Sequence, residues 1–359
     1  MTDNSNFAKS PKPHKRPRIW FNKSLSSTSH TIETIRQVAE GRPGEDFFFV
    51  CTHTSPTATV APVADYFELE PTGLGSAGYV NWCLDFIRRQ AIDVFIPRNY
   101  AHAIAAAAQR FADVGVKLIL AADAPTLELI KHKGRFYNAL GADLVPQPAF
   151  RVVADAEQFA AAFAELTAHH DRVCIKPAEG IGGKGFRIIT TNGAAPIFST
   201  WDNQQLSIDY DEALADCSNQ DKFPELMMME FLPGQERSVD CVAVDGRLLA
   251  AVVRLKSYDG VEELLEENPL LVEYSRRVTA KAGLTGLYNV QFMEAGGVQY
   301  LLEVNARMSG GIHYSALSGV CLPYWAIRLA LGTARSEDIP EPRTGIRVER
   351  KTRRVLGTI

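Results

Sequence analysis

The sequence predicts a chain of mixed class, an α/β unit followed by an α+β unit, and three patterns carry that prediction. Short apolar runs alternate with helical stretches over residues 18–122, as in a parallel sheet covered on both faces. From about residue 172 the strands come in runs instead, which fits antiparallel sheets. Over residues 288–305, polar and apolar side chains alternate on both sides of a glycine pair, the mark of a hairpin with one polar face.

Taken in order, residues 1–17 are polar and basic, with Pro11, Pro13 and Pro17, and read as a disordered tail. Candidate strands at 18–22, 47–52, 66–69, 94–97 and 117–121 alternate with helices at 31–40, 79–90 and 102–114. They make a Rossmann-like domain over 18–122. The turn after its first strand, residues 23–29, has no G-x-G-x-x-G, which argues against a dinucleotide site. Ligands of open sheets sit at the carboxyl ends of strands, so the loops 26–30 and 98–102 are expected to line a pocket. They read equally as surface loops and helix caps. A linking segment, 123–150, carries one helix from 126 to 140. A turn at Pro146 and Pro148 starts a new unit, with a helix at 155–169 and strands at 172–176, 186–190 and 226–231. The polar stretch 192–223 shows no clear element. Beyond it lie strands at 237–244 and 248–256, a helix at 269–281, the hairpin and a helix at 323–331.

Bulk composition excludes more than it specifies. The 359 residues are 46% hydrophobic and 22% charged, ordinary for a globular protein. A net charge of −4 offers no global attraction to nucleic acid or an anionic membrane. The six cysteines are scattered without metal-ligand spacing and read as reduced core thiols of a cytoplasmic protein. No apolar run at the start resembles a signal peptide.

Three segments carry chemistry. Residues 176–186 hold a glycine-rich loop, with Gly180, Gly182, Gly183 and Gly185, led by Lys176 and containing Glu179 and Lys184. Glycines let backbone N–H groups approach a phosphate. The loop is not a Walker A sequence, and alone it reads as well as a hairpin tip. In the second segment, Met229 to Asp240, a strand leaves its sheet at Pro233-Gly234, and Glu236 follows the turn, where it could accept hydrogen bonds from ribose hydroxyls. Alone, this is an ordinary turn with surface acids.

The hairpin is the third. Asn289 and Gln291 share one face of its first strand, and Glu303 and Asn305 share one face of its second. A two-residue Gly296-Gly297 turn would set Gln291 opposite Leu302. An odd loop of Gly296, Gly297 and Val298 sets it opposite Glu303, so the polar pattern predicts the odd loop. The clustered oxygens of Gln291, Glu303 and Asn305 then suit Mg2+ that completes its shell with phosphate and water. Arg307 adds a fixed cation, and the backbone of Met308, Ser309, Gly310 and Gly311 offers amides to an anion.

Taken as an ordered set over residues 94–335, these motifs resemble the ATP-grasp superfamily, in the branch similar to the large chain of carbamoyl-phosphate synthetase. The resemblance implies an ATP-grasp fold with a Rossmann-like (pre-ATP-grasp) N-terminal domain, a small lid over 151–232 and a larger C-terminal subdomain over 233–359, with ATP between the last two. It implies that Lys133 and Lys176 contact phosphates under the glycine flap. Backbone groups at Glu230 and Leu232, beside Phe231, meet adenine, and Glu236 binds ribose. Gln291, Glu303 and Asn305 hold Mg2+, with Mn2+ as a substitute. Arg307 stabilises the transferring phosphoryl group, while Arg254 and Lys256 add phosphate or substrate contacts. The implied activity is a carboxylate–amine ligase acting through an acyl phosphate, with small-molecule carboxylate and amine substrates and a homodimeric state. The alternatives are a kinase that stops at the acyl phosphate and a non-catalytic ATP-binding protein.

Overall fold

The computed structural model describes residues 16–42, 44–180, 184–191, 207–258 and 261–349. Almost all of the expected tail, and residues 192–206 of the polar stretch, lie outside these residues. Two compact units divide the chain: residues 1–119 with 327–334, and residues 120–326 with 335–359.

In the first unit, β1 (Arg18–Phe21), β2 (Phe48–His53), β3 (Tyr66–Leu69), β4 (Val94–Ile96) and β5 (Lys117–Leu118) are all parallel, in the order β3-β2-β1-β4-β5. The connecting helices are α1 (Thr28–Ala39), α2 (Gly75–Gln90), α3 (Ala101–Ala106) and α4 (Ala108–Asp113). The single helix expected over 102–114 is therefore two. The break is at Ala107, whose φ of −103° and ψ of 15° leave the helical region with no glycine or proline to announce it. Residues on both faces of the central strands are buried, as continuous apolar runs demand, and Trp20 stacks on Phe95 with ring centroids 3.8 Å apart.

Strand order reverses between β1 and β4, and Asn22 fills the crevice there. Its Oδ1 accepts from the Arg98 and Asn99 amides at 2.8 and 3.2 Å, and its Nδ2 donates to Asn99 O at 2.8 Å and to the Tyr79 hydroxyl at 3.0 Å. Glu70 lies buried beside it and accepts from Thr52 at 2.8 Å, from Tyr79 at 2.9 Å and from the Lys23 amide. The loops after β1 and β4 are thus stitched together by the protein's own side chains.

The second unit begins with α5 (Ala124–Lys131) and α6 (Lys133–Leu140), where the sequence promised one helix. His132 breaks it. With φ −101° and ψ 99° it is extended, it forms a β-bridge with Glu179, and its Nδ1 accepts from the Arg135 amide as the cap of α6. A first sheet follows: β6 (Phe150–Val153), β7 (Val173–Pro177), β8 (Arg187–Thr190), β9 (Ser207–Asp209) and β10 (Leu226–Glu230), ordered β6-β10-β7-β8-β9. All its pairs are antiparallel except β8 with β9. The helices α7 (Ala156–Thr167) and α8 (Tyr210–Ser218) share a core with it through Phe159, Leu166, Ile189, Ala213 and Met228. Strand β9 and helix α8 lie in the stretch that showed no clear element. Three residues of strand and nine of helix are too short to leave a periodic trace.

A second, antiparallel sheet contains β11 (Glu236–Val244), β12 (Arg247–Lys256), β13 (Glu262–Glu266), β14 (Gly286–Ala295), β15 (Val298–Asn305) and β16 (Ile346–Glu349), ordered β15-β14-β11-β12-β13-β16. Helix α9 (Pro269–Ala282) has the ends its sequence announces: Asn268 accepts from the Leu271 amide, Pro269 opens the first turn, and Gly283 closes it at φ +63°.

The β14–β15 hairpin corrects one expectation. Ala295 pairs with Val298, so the turn has two residues, Gly296 and Gly297, at φ +58° and +79°. Both central residues of the favoured tight hairpin turn need positive φ, and two glycines supply it without strain. Yet Gln291 still faces Glu303, and Asn289 faces Asn305, because a β-bulge shifts the register between Gln291 and Phe292. Leu302 is the extra residue. The pairing inferred from polarity holds, and its cause is a bulge rather than an odd loop. The bulge also decides which leucine enters the core: Leu301 is fully buried opposite Phe292, while Leu302 is only partly covered.

Candidate functional site

One cavity of about 600 Å3 in the second unit collects almost every residue singled out above. Its wall takes Lys133 from α6, Lys176 from β7, Gly180 and Lys184 from the glycine-rich loop, and Glu230, Phe231 and Leu232 from the end of β10. The second sheet adds Glu236, Arg254, Lys256, Gln291, Glu303 and Asn305, and the following loop adds Arg307, Ser309 and Gly310. Gly182 and Gly183 lie outside the described residues. Among the described ones, Gly185 and Met308 are absent from the cavity wall, and so is Glu179, which is half-exposed and bonds Lys131 at 2.9 Å. Its role is to pin the base of the loop.

The helix break at His132 delivers Lys133. Because His132 pairs with Glu179, the Lys133 amide donates to Ala178 O at 3.0 Å and its Nζ to Gly180 O at 2.9 Å. The lysine is therefore attached to the loop that leaves Lys176. Burial lowers the pKa of both ammonium groups, that of Lys176 to about 8, although the Glu303 carboxylate opposes the shift in each. Burial lowers Arg307 as well, against Glu303 and Asp240. Lys133, Lys176 and Arg307 share the Glu303 carboxylate. The other carboxylates acting on them, Glu179 and Asp240, are paired with Lys131 and Arg254, so this end of the cavity suits an anion with several oxygens.

On the hairpin, one oxygen each of Gln291 and Glu303 converges on the Asn305 amide nitrogen. Asn305 Nδ2 donates to Glu303 Oε1 at 2.9 Å and to Gln291 Oε1 at 3.3 Å, while Asn305 Oδ1 accepts from Arg307 at 3.0 Å. The amide nitrogen thus serves as the positive pole between two oxygens that a cation could share. One carboxylate and two amide oxygens suit a hard ion that keeps some water and takes further ligands from a phosphate. Among the described residues no three His, Cys, Asp or Glu side chains converge, so the donors fit a cation shared with a ligand better than a closed protein cage. Gln291 also reaches the other way, its Nε2 donating to Glu236 at 2.6 Å, and Glu236 pairs with Lys256. A single chain of polar contacts therefore runs Lys256–Glu236–Gln291–Asn305–Arg307.

The wall also has an apolar part, formed by Met229, Phe231, Leu232, Met293 and Leu302. The Glu230 amide is committed to Ala149 O at 3.0 Å, its carboxylate accepts from the Ala149 amide at 2.9 Å, and its second oxygen meets His170 at 2.9 Å. These contacts hold the strand end as it leaves the sheet. The turn that follows sits tightly on the hairpin: a Cβ on Gly234 would lie 1.9 Å from Glu294 O.

Arg254, expected to act on phosphate or substrate, lines the cavity and is enclosed by its own partners. It bonds Asp240 at 2.8 Å, Ser309 at 2.9 Å, Ser238 at 3.2 Å and Glu263, and it is 1% exposed. Burial opposes its charge, but Asp240 and Glu263 outweigh burial and raise its pKa. Asp240 also accepts from Asn289 at 2.9 Å and Ser315 at 2.6 Å. Arg254 therefore anchors the loop after Arg307, and Gly311 packs so closely that a Cβ would come within 2.5 Å of the guanidinium. The sequence reading missed Asp240, Ser238 and Glu263. The alternation of β11 could have found the first two, since Ser238 and Asp240 share the face that turns to Asn289 and Gln291.

Comparisons with known proteins bear on this geometry. Residues 222–354 match the family described as ATP-grasp in the biosynthetic pathway with Ter operon. The arginine-specific large chain of carbamoyl phosphate synthase from Geobacillus stearothermophilus is 24% identical over 322 residues, covering 86% of this chain. The match spans only 28% of that protein. Among solved structures, N5-carboxyaminoimidazole ribonucleotide synthetase in complex with ADP superposes with a TM-score of 0.65 at 15% identity, over 92% of this chain and 80% of that one. L-amino acid ligase from Bacillus licheniformis gives 0.61 at 12% identity, over 90% and 77%.

Proposed function

The chain has an ATP-grasp fold, and from that premise we propose that it binds Mg-ATP in the cavity of its second unit and uses it to activate a carboxylate for attack by an amine. The observation that carries this reading is the convergence of Gln291, Glu303 and Asn305 on one side of a single cavity with Lys133, Lys176 and Arg307. We read the sheet of β6 to β10 as the lid and the sheet of β11 to β16 as the larger subdomain. The relatives' names include a synthase, a synthetase crystallised with ADP, and a ligase, which agrees with this chemistry.

Bound ATP would supply the phosphoryl group, and Mg2+ the countercharge for its oxygens. Lys133 and Lys176, fixed to one loop, hold the phosphates. Gln291, Glu303 and Asn305 present oxygens to the cation, and Mn2+ is compatible with the same donors. The apolar part takes the base. There the Leu232 amide and the Glu230 carbonyl, which accepts from Cys174 Sγ at 3.9 Å, face its polar edge. Arg307 is held by Asn305 and by Met308 O at 3.1 Å, where it stabilises charge on the group in transfer. Catalysis rests on positioning and electrostatics and needs no protein nucleophile.

The test is a screen of carboxylates crossed with amines, scored by Mg2+-dependent ADP release and by product mass. ADP release that requires both substrates, with a mass equal to their amide, is the expected result. Release with the carboxylate alone, giving an acyl phosphate trapped by hydroxylamine, would identify a kinase. Nucleotide binding with no release for any pair would overturn the catalytic reading. Residence in the cytoplasm and a dimeric state belong to the same proposal, and no helix among the described residues is long and apolar enough to cross a membrane.

A further inference from the structure

We infer that Tyr137 is a positioning residue for the cation ligands, acting through the β-bulge at Leu302. This rests on the proposed use of Gln291, Glu303 and Asn305.

A bulge leaves an extra residue out of the ladder, and its location decides which side chains face which way. Outside the bulge the frame is set by Ala295 with Val298 and Phe292 with Leu301; inside it, by Gln291 with Glu303. The two frames differ by one residue, and neither says where the extra residue must sit. Placed one position earlier, the bulge would send Leu302 into the core opposite Phe292 and expel Leu301. Contacts from outside the sheet make the choice. The Leu301 amide donates to Pro146 O at 2.8 Å. The Tyr137 hydroxyl lies 2.6 Å from Leu301 O and 2.7 Å from Leu302 O, buried at 1% exposure. One hydroxyl proton serves two carbonyls, and both stand immediately before Glu303.

Tyr137 sits four residues after Lys133 on α6, so the two side chains rise from the same face of one short helix. The helix that fixes a phosphate lysine thus also fixes the strand that carries the cation carboxylate. A shift of α6 moves both together, which keeps their separation constant.

The experiment titrates Mg2+ into the protein with ADP bound, by calorimetry, for the wild type, Tyr137→Phe, a Leu302 deletion, and the two combined. The wild-type titration tests the nucleotide-and-cation reading by itself; the variant-to-wild-type ratio tests Tyr137. Tyr137→Phe is expected to weaken Mg2+ binding about tenfold, as loss of a group that orients a ligand does. ADP affinity without metal should stay within about twofold. Deleting Leu302 lets the outer frame run straight to Gln291 opposite Glu303, so in that background the Phe change should have no further effect on Mg2+. Unchanged Mg2+ affinity in Tyr137→Phe, or the same loss in both backgrounds, would overturn the inference and leave Tyr137 a core tyrosine.

Discussion

At the carboxyl ends of β1 and β4, Glu70 receives a backbone amide and two hydroxyls, and Asn22 spends both ends of its amide on neighbouring loops. In the cavity of the second unit, Glu303 faces two lysines and an arginine whose pKa values burial has lowered. The two clusters use similar residue types. In the first, donors and acceptors satisfy each other, and the outcome is a fixed pair of loops. In the second, cations are crowded and desolvated without enough carboxylate to balance them, so their free energy is lowered by an incoming anion. The difference teaches what the proposed function requires of a polar cluster: charge that the protein leaves uncompensated.

Four measurements would break or sharpen this contrast at the nucleotide. Glu303→Ala should abolish Mg2+-dependent ADP formation while circular dichroism stays native; wild-type turnover in this variant would remove the cation site. Arg307→Ala should lower turnover about 100-fold if the guanidinium stabilises transition-state charge, and an effect confined to KM would assign it to ground-state binding. The third is pH dependence. Lys176 titrates at about 8 in the free protein, below its unfolded value of 10.5. Under the proposed function ATP prefers the charged lysine, so affinity should fall as pH rises through 8, by about tenfold between pH 7 and 9. The sign for folding is opposite: the unfolded chain binds the extra proton between pH 8 and 10.5, so this group's contribution to stability improves across that window. The smallest effect on the nucleotide is expected from Glu70→Ala. It should cost about 3 kcal/mol of stability in urea unfolding, because several buried donors lose a charged acceptor, yet leave ADP affinity within about twofold.

Much of this was legible in the sequence because the signals were local. Asn268, Pro269 and Gly283 announce both ends of α9, and the continuous apolar runs announce the buried parallel strands. The polar face of the hairpin identified Gln291, Glu303 and Asn305, since period-two alternation survives any turn. What failed depended on contacts distant in sequence. The break at His132 is imposed by Glu179 across a β-bridge, and the bulge at Leu302 by Tyr137 and Pro146. The run Tyr300-Leu301-Leu302 did blur the alternation, and three successive apolar residues were the available sign that one was surplus. Arg254 could not be told from a free catalytic arginine until Asp240 and Glu263 were placed beside it.

The chain of contacts from Glu236 through Gln291 to Asn305 has a thermodynamic corollary. Under the proposed function, its first carboxylate meets the sugar of the nucleotide and its last amide meets the cation. Gln291 is bonded at both ends, so a ligand that displaces one partner alters what the other must give up. Sugar and cation are then coupled ligands. Whatever factor the nucleoside contributes to Mg2+ affinity, Mg2+ must return to nucleoside affinity. Inorganic triphosphate lacks the sugar and should forgo that factor, which makes this hydrogen-bonded row a means of telling a nucleotide from its phosphates alone.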